Sequence, residues 1–423
     1  MATLPNKEAL SFLFTPQIQI KNIHDINRLF FRNSSPFFSY IAKYYKKEGE
    51  EFIKVFPFLL NLVSGMDKIF DNNKIVEKNK IPKLKTGDNG GFDLTRKQVA
   101  LIFFLSFLNL IDVKNDYNMN TFKVSDLLFL NYNSALQFGR CFLNYLIVIG
   151  KWIEQNNPHL EEKIIYKREN KPQLNYLESD ENIPLCELKL ETKGSLFDGD
   201  ASYCVDFANE YIGGGALSGG CVQEEILFAI EPELTVSMFF MEVMNDNDAI
   251  GIFNTIQYSK YDGYGYNFTY AGSLIDENSE IKKHKIIAID AMDLRRPSYF
   301  YFHNQISKNE INRDIHKAYV GFNLINFDKT TKKTIATGNW GCGAFNGNHE
   351  LKFLQQWIAA SYAKIERLDY YTFGKKEMKI VEENIEKIKN KFKNVKELYS
   401  TLISVCNIND HYIENILKYS YYY

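Results

Sequence analysis

The chain has 423 residues, 45% of them hydrophobic and 24% charged, with a formal net charge of −2. That length can bury a large core and supports two packing units. The near-balanced charge removes the electrostatic case for general nucleic-acid binding, so a polyanionic ligand would need a local site.

Aromatic residues are abundant, with 33 Phe and 27 Tyr. Most must fill core, leaving a few as stacking platforms for a planar ligand. The six cysteines (Cys141, Cys186, Cys204, Cys221, Cys342 and Cys406) are scattered without a CxxC pair, which fits reduced thiols in an intracellular setting, nucleus or cytoplasm. The opening MATLPNKEAL has no charged-then-apolar leader pattern. The apolar run at 99–113 is too short for a membrane span and reads as a buried helix.

In chain order, residues 1 to about 175 read as mostly helical, with long helices predicted over 94–110 and 134–153. The Lys- and Asn-rich stretch 71–91 reads as a solvated connector, ahead of a nuclear-import patch. The polar, breaker-rich segment 167–184 marks a boundary. This gives an accessory region at 1–175 and a second domain at 176–423. From residue 184 short β-rich runs alternate with helices. Strands are predicted at 185–191, 201–208, 249–258, 284–292, 333–340 and 369–374, and helices at 221–230, 350–365 and 376–393. Strand alternating with helix predicts an α/β layered domain with ligand loops at the strand ends.

One segment carries chemistry: IGGGALSGGCVQEE, residues 212–225. Gly213, Gly214 and Gly215 leave no Cβ in the way and permit positive φ, so the loop can present N–H groups to a phosphate or diphosphate. A flexible surface loop is the plain alternative. No GK[ST] follows, and the spacing is not GxGxxG. Gln223, Glu224 and Glu225 then open a helix. Acids there suit the helix dipole, but they also suit acid–base chemistry beside a bound diphosphate. Adjacent helix positions point about 100° apart. The two glutamates therefore do not face each other across one bond as typical paired glycosidase carboxylates do. One can act on the bond while the other orders sugar hydroxyls. A diphosphate and a sugar in one ligand suggest ADP-ribose.

The pattern GGG, seven residues, QEE resembles the motif of the poly(ADP-ribose) glycohydrolases. Further blocks follow in the family's order: LTRKQVA at 94–100, VDFAN at 205–209, QYSKYDGYGYNF at 257–268, IATGNWGCGAF at 335–345 and TFG at 372–374. The resemblance covers roughly residues 90–375. The family often has GYA where this chain has Gly263-Tyr264-Gly265. The resemblance implies a macrodomain-like mixed-sheet α/β core flanked by helices, with an N-terminal helical accessory domain. It implies a hydrolase that cleaves ribose–ribose O-glycosidic bonds of poly(ADP-ribose), without metal or cofactor. Glu225 would be the acid/base, Glu224 and Asn209 would hold ribose hydroxyls, and Asp206 would support the catalytic segment. Gly213–Gly215 would contact the diphosphate and Gln223 the ligand. Tyr264 and Phe373 would sandwich the adenine. Phe345 would pack near the distal ribose, and the loop from Asn339 to Phe345 would help close the diphosphate pocket. The implied partners are poly(ADP-ribose) and proteins modified with it, with no membrane or direct nucleic-acid contact and a monomeric chain.

Two other readings stay open: a non-catalytic reader of ADP-ribose, and a hydrolase of mono-ADP-ribose on proteins. Cys342 has no histidine nearby in sequence and reads as a packing residue. His284 and His349 lack metal-ligand spacing.

Overall fold

The computed structural model describes the chain except residues 1, 7, 16–18, 72–79, 113–115, 177–181, 277–278, 296–306 and 420–423. Most of the Lys- and Asn-rich connector's first half lies outside the described residues.

Short strands β1 (Ala2–Thr3) and β2 (Lys80–Ile81) pair with each other. Apart from two strands of the main sheet, the first region is built on helices α1 (Ile23–Phe31), α2 (Pro36–Tyr44), α3 (Lys46–Ser64), α4 (Met66–Asp71), α5 (Arg96–Phe107), α6 (Val124–Leu127) and α7 (Asn133–Glu154). α5 starts at a capping box: Thr95 Oγ1 accepts from Gln98 N at 3.2 Å while Gln98 Oε1 accepts from Thr95 N at 2.8 Å. The helix is buried all round, which is why its sequence has no polar stripe.

The main sheet has eight strands. They are β3 (Gly90–Thr95), β4 (Lys163–Asn170), β5 (Glu187–Glu191), β6 (Tyr203–Ala208), β7 (Asp248–Ile256), β10 (Lys283–Asp290), β11 (Thr334–Gly338) and β12 (Arg367–Tyr371). Between them in sequence, β8 (Ser259–Asp262) and β9 (Thr269–Ser273) form a separate hairpin. Spatial order in the main sheet is β3-β4-β7-β10-β6-β11-β12-β5. The run from β10 to β5 is parallel, and β3, β4 and β7 add antiparallel pairings.

All six predicted strands are present as β5, β6, β7, β10, β11 and β12. The reading of 1–175 as helical omits β3 and β4, which pair with each other and join the same sheet through β7. Helix α8 (Gln223–Ile230) packs beside β6. Helices α9 (Lys308–Asn323), α10 (His349–Tyr362), α11 (Lys379–Lys391), α12 (Val395–Val405) and α13 (Tyr412–Lys418) complete the chain.

Both sheet faces are covered. Along β10, Ile286 and Ala288 join the core shared with the N-terminal helices, while Ile287 and Ile289 join the core under α9 and α10. Arg96, fully buried on α5, ties the helical layer to the sheet. Its guanidinium donates to Glu233 at 2.6 Å, Glu162 at 2.9 Å and the Asn254 carbonyl at 2.7 Å. Parallel neighbours β10, β6, β11 and β12 end at the same edge, where ligand crevices of open α/β sheets form. Residues 209, 291, 339 and 372 follow those ends directly.

Candidate active site

β6 and β11 pair only at their starts, Tyr203 with Ile335 and Cys204 with Ala336. Beyond that the strands part and leave β6 backbone without a ladder partner on that side. Gln223 fills the gap: its Oε1 accepts from Phe207 N at 2.9 Å and its Nε2 donates to the Val205 carbonyl at 3.3 Å. A side chain here stands in for a strand. Gln223 thus fixes the start of α8 to β6, a positional role that its motif did not reveal.

Glu224 and Glu225 follow on α8 and are 2% and 7% exposed. Glu224 accepts from Asn209 N at 2.9 Å and Gly213 N at 2.6 Å. Glu225 accepts from Gly215 N at 2.9 Å and from Val222 N, at the helix start, at 2.8 Å. Gly214 N donates to the Tyr211 carbonyl at 3.0 Å. The three motif glycines therefore spend their N–H groups inside the protein, two of them on the carboxylates. This differs from the expectation that these N–H groups face a diphosphate. The loop wraps the N-terminus of α8, where two buried acids need donors more urgently than a solvated ligand does.

Glycine is required there by contact as well as by conformation. A Cβ on Gly214, whose φ is +46°, would sit 2.5 Å from Glu224 Oε2 and 2.7 Å from Glu225 Oε1. The two carboxylates thus converge on one peptide from adjacent helix positions. A Cβ on Gly219, at φ +102°, would fall 1.3 Å from the Tyr132 hydroxyl, which donates to the Ser218 carbonyl at 3.4 Å.

Asp206 lies on β6 beneath the glutamates, fully buried, with neither carboxyl oxygen hydrogen-bonded among the described residues. Burial, then the charge of Glu225, raises its pKa well above the usual carboxylate range. Burial raises Glu224 too, with the charges of Asp206 and Glu225 adding and the N–H groups of Asn209 and Gly213 opposing. Burial thus works against ionisation of both Asp206 and Glu224, and Asp206 is the one with no donor aimed at it among the described residues.

A cavity of about 120 Å³ opens above the pair. Its lining includes Asn209, Gln223, Glu224, Glu225, Tyr264 and Phe345 from the expected set and Trp340 from the expected 339–345 loop, with Phe207, Val222 and Ala291 among the unforeseen residues. Tyr264 sits at the tip of the β8–β9 hairpin, 61% exposed. Phe345 carries the Arg295 guanidinium over its ring at 5.4 Å. Trp340 is buried and donates to the Ile289 carbonyl at 2.9 Å.

Six expected residues are not among those lining the cavity: Asp206, Gly213, Gly214, Gly215, Asn339 and Phe373. Asn339 donates to the Thr372 carbonyl at 3.2 Å and accepts from the Tyr370 hydroxyl at 3.3 Å, clasping the β11 and β12 exits together. Phe373, at φ +53° and 41% exposed, packs beside Gly338, where an added Cβ would meet its ring at 2.9 Å and that of Phe207 at 3.5 Å. Burial pushes the Cys342 thiol up to about 12, which disfavours the thiolate. His284 pairs with Glu231. Among the described residues, no group of three or more His, Cys, Asp or Glu side chains is arranged to hold a metal ion.

A buried acid pair at the C-terminal edge of a mixed sheet, opening onto a cavity, defines an α/β protein with a candidate acid–base site at its strand ends. The poly(ADP-ribose) glycohydrolase helical-domain model matches residues 44–168, and the macro-domain-fold model of the same family matches residues 175–380. The chain belongs to the poly(ADP-ribose) glycohydrolase family, with a macro-domain-fold region preceded by a helical domain.

It is similar to the probable poly(ADP-ribose) glycohydrolase 2 of Arabidopsis thaliana, 31% identical over 310 residues, 62% of this chain and 58% of that one. It is also similar to poly(ADP-ribose) glycohydrolase 1 of Caenorhabditis elegans, 37% identical over 217 residues, 48% of this chain and 27% of that one. With poly(ADP-ribose) glycohydrolase 1 of Arabidopsis thaliana matched over 47% of its length, the chain spans about half or less of most such relatives. Among solved structures, the Thermomonospora curvata poly(ADP-ribose) glycohydrolase bound to the inhibitor ADP-HPD aligns with a TM-score of 0.33 and 15% identity. That alignment covers 47% of this chain and 75% of that chain.

No helix among the described residues is long and apolar enough to cross a membrane.

Proposed function

We propose that the chain hydrolyses the ribose–ribose O-glycosidic bonds of poly(ADP-ribose), releasing ADP-ribose. The observation that carries this reading is the buried Glu224–Glu225 pair opening onto the cavity in a chain of this family. Glu225 uses one lone pair of each oxygen on a backbone N–H. The lone pairs that remain serve the substrate. In its protonated form Glu225 donates to the leaving ribose oxygen as the sugar becomes oxocarbenium-like. As the carboxylate, it then takes a proton from the attacking water. Glu224 and the Asn209 side chain hold ribose hydroxyls.

Tyr264 supplies a stacking face at the cavity rim. Phe373 stacks on the adenine only from the Gly338 side, supported by Phe207. Phe345 packs on the distal ribose. The diphosphate belongs along the 341–345 turn, where Gly343 has nothing within 4 Å of an added Cβ. Asn339 serves this pocket by holding the two loops together. Asp206, buried beneath the pair with its ionisation disfavoured by burial, supports the catalytic segment.

A reader of ADP-ribose would gain nothing from burying a second and third carboxyl under its ligand. Chromatography of products from poly-modified and mono-modified protein tests the reading. Free ADP-ribose from the polymer, with the last protein-linked unit left in place, is expected. Release from mono-modified protein at an equal rate would overturn the polymer assignment, and binding without release would leave a reader.

A further inference from the structure

Asn120 lies outside every motif, in the segment between α5 and α6. Its Oδ1 accepts from Thr121 N at 2.9 Å, which turns the amide nitrogen toward the glycine loop. There Nδ2 donates to the Ile212 carbonyl at 3.1 Å and the Gly214 carbonyl at 2.8 Å, with the Tyr211 carbonyl at the outer limit of 3.5 Å. The two nearer carbonyls belong to peptides whose opposite ends matter. The Ile212–Gly213 peptide presents its N–H to Glu224, and the Gly214–Gly215 peptide presents its N–H to Glu225. One side-chain amide, with its two hydrogens, therefore grips the far ends of both peptides that hold the acid pair.

We infer that Asn120 is a positioning residue for catalysis: it locks the two peptide planes so that their N–H groups stay aimed at Glu224 and Glu225. The need for such a lock follows from the sequence. Peptides flanked by glycine rotate at low cost, because φ of either sign is open to them. Gly213 and Gly214 both adopt positive φ, +86° and +46°. A flipped Gly214–Gly215 peptide would turn a carbonyl oxygen toward Glu225 and remove its donor. Asn120 holds the carbonyl on the other side, and donation to a carbonyl strengthens the N–H of the same peptide as a donor. The helical region thus takes part in the chemistry without touching substrate.

This inference rests on the acid role given to Glu225. The test compares Asn120→Ala, Asn120→Asp and Asn120→Gln with Glu225→Ala in full-length protein, reading steady-state release from poly(ADP-ribose) across pH. Asn120→Ala and Asn120→Asp should lower kcat about tenfold to a hundredfold while KM changes less than about threefold, since placement of the acid and not uniform binding is lost. The limb of the pH–rate profile set by the catalytic carboxyl should move to higher pH, because a carboxylate with weaker N–H donors keeps its proton longer. Asn120→Gln restores both hydrogens on a longer stem and should recover part of kcat. Amide exchange at Gly213 and Gly215 should accelerate in the Asp variant, whatever its stability.

Inactive Glu225→Ala beside Asn120 variants with native kcat, pH profile and amide protection would overturn the positioning role alone. Lower thermal stability in those variants with native kcat per folded molecule would do the same. Activity that survives in Glu225→Ala would instead remove the acid assignment on which the role depends.

Discussion

Gly214→Ala isolates the closest approach in the site. The perturbation is one methyl on a residue at φ +46°, aimed at oxygens 2.5 Å and 2.7 Å away. Left-handed backbone costs alanine about 1–2 kcal/mol, which lowers stability modestly. In a chain of this length that is a fall in Tm of roughly 1–3 °C. The catalytic cost is larger. To reach ordinary van der Waals separation, each carboxylate must retreat by roughly 0.7–0.9 Å, and a misplacement near 1 Å costs on the order of a hundredfold in rate.

Gly87→Ala supplies the control. Its φ is +82°, but the nearest atom to an added Cβ is Asn245 Nδ2 at 3.8 Å, so it carries the backbone strain without touching the acids. The assay is ADP-ribose release under saturating polymer, with Tm measured on the same samples. Similar small losses in Tm but a large loss of kcat only in Gly214→Ala are expected. Native kcat in folded Gly214→Ala would refute the claim that the glycine loop and acid pair fit against each other at this peptide.

Asp206 gives a pH-dependent expectation. Its carboxyl is raised in the folded protein by burial and by Glu225. The stability it contributes is therefore fully present below the unfolded carboxyl pKa, about 3.9, and is lost as pH rises through the folded pKa. Asp206→Asn should show a smaller fall in Tm than the native chain between about pH 5 and pH 8, at and above the ordinary carboxyl range. An identical fall in both would mean that the group is ionised at neutral pH. Gln223→Ala should cost about 1–3 kcal/mol by leaving the Phe207 N–H and Val205 carbonyl unpaired. Denaturant unfolding checks this, and no change would mean that the parted β6 and β11 edges find other partners.

How much of this was readable in advance differs by element. β6, β7, β10 and β11 are apolar runs bounded by loops, and each appears where the pattern put it. β4 was hidden because one of its three inward positions is Arg168, which reads as surface but is buried against Asp248 at 3.0 Å. β3 begins with Gly90 and Gly91 and shows only Phe92 and Leu94 as alternation, too little for a strand signal. The acid pair and glycine loop were visible as a motif. Their relation was not: the glycine N–H groups serve the glutamates, a choice set by the local shortage of donors inside the fold. Gln223 acts where two strands diverge, and Asn120 acts across 94 residues of sequence on Gly214. Neither carries a local signal, since the partner in each case is backbone brought near by tertiary structure. Asn339 and Phe373 belong to matched blocks, but the blocks alone did not show that Asn339 holds the loop bearing Phe373.

The most direct test of the acid/base assignment is release of free ADP-ribose from poly(ADP-ribosyl)ated protein by the native chain and by Glu225→Ala, with ADP-ribose binding measured alongside. Rapid release by the native chain, abolished in the variant while binding persists, is the predicted result. Release that continues in the variant would contradict the role given to Glu225, and absence of release from both would contradict the hydrolase itself.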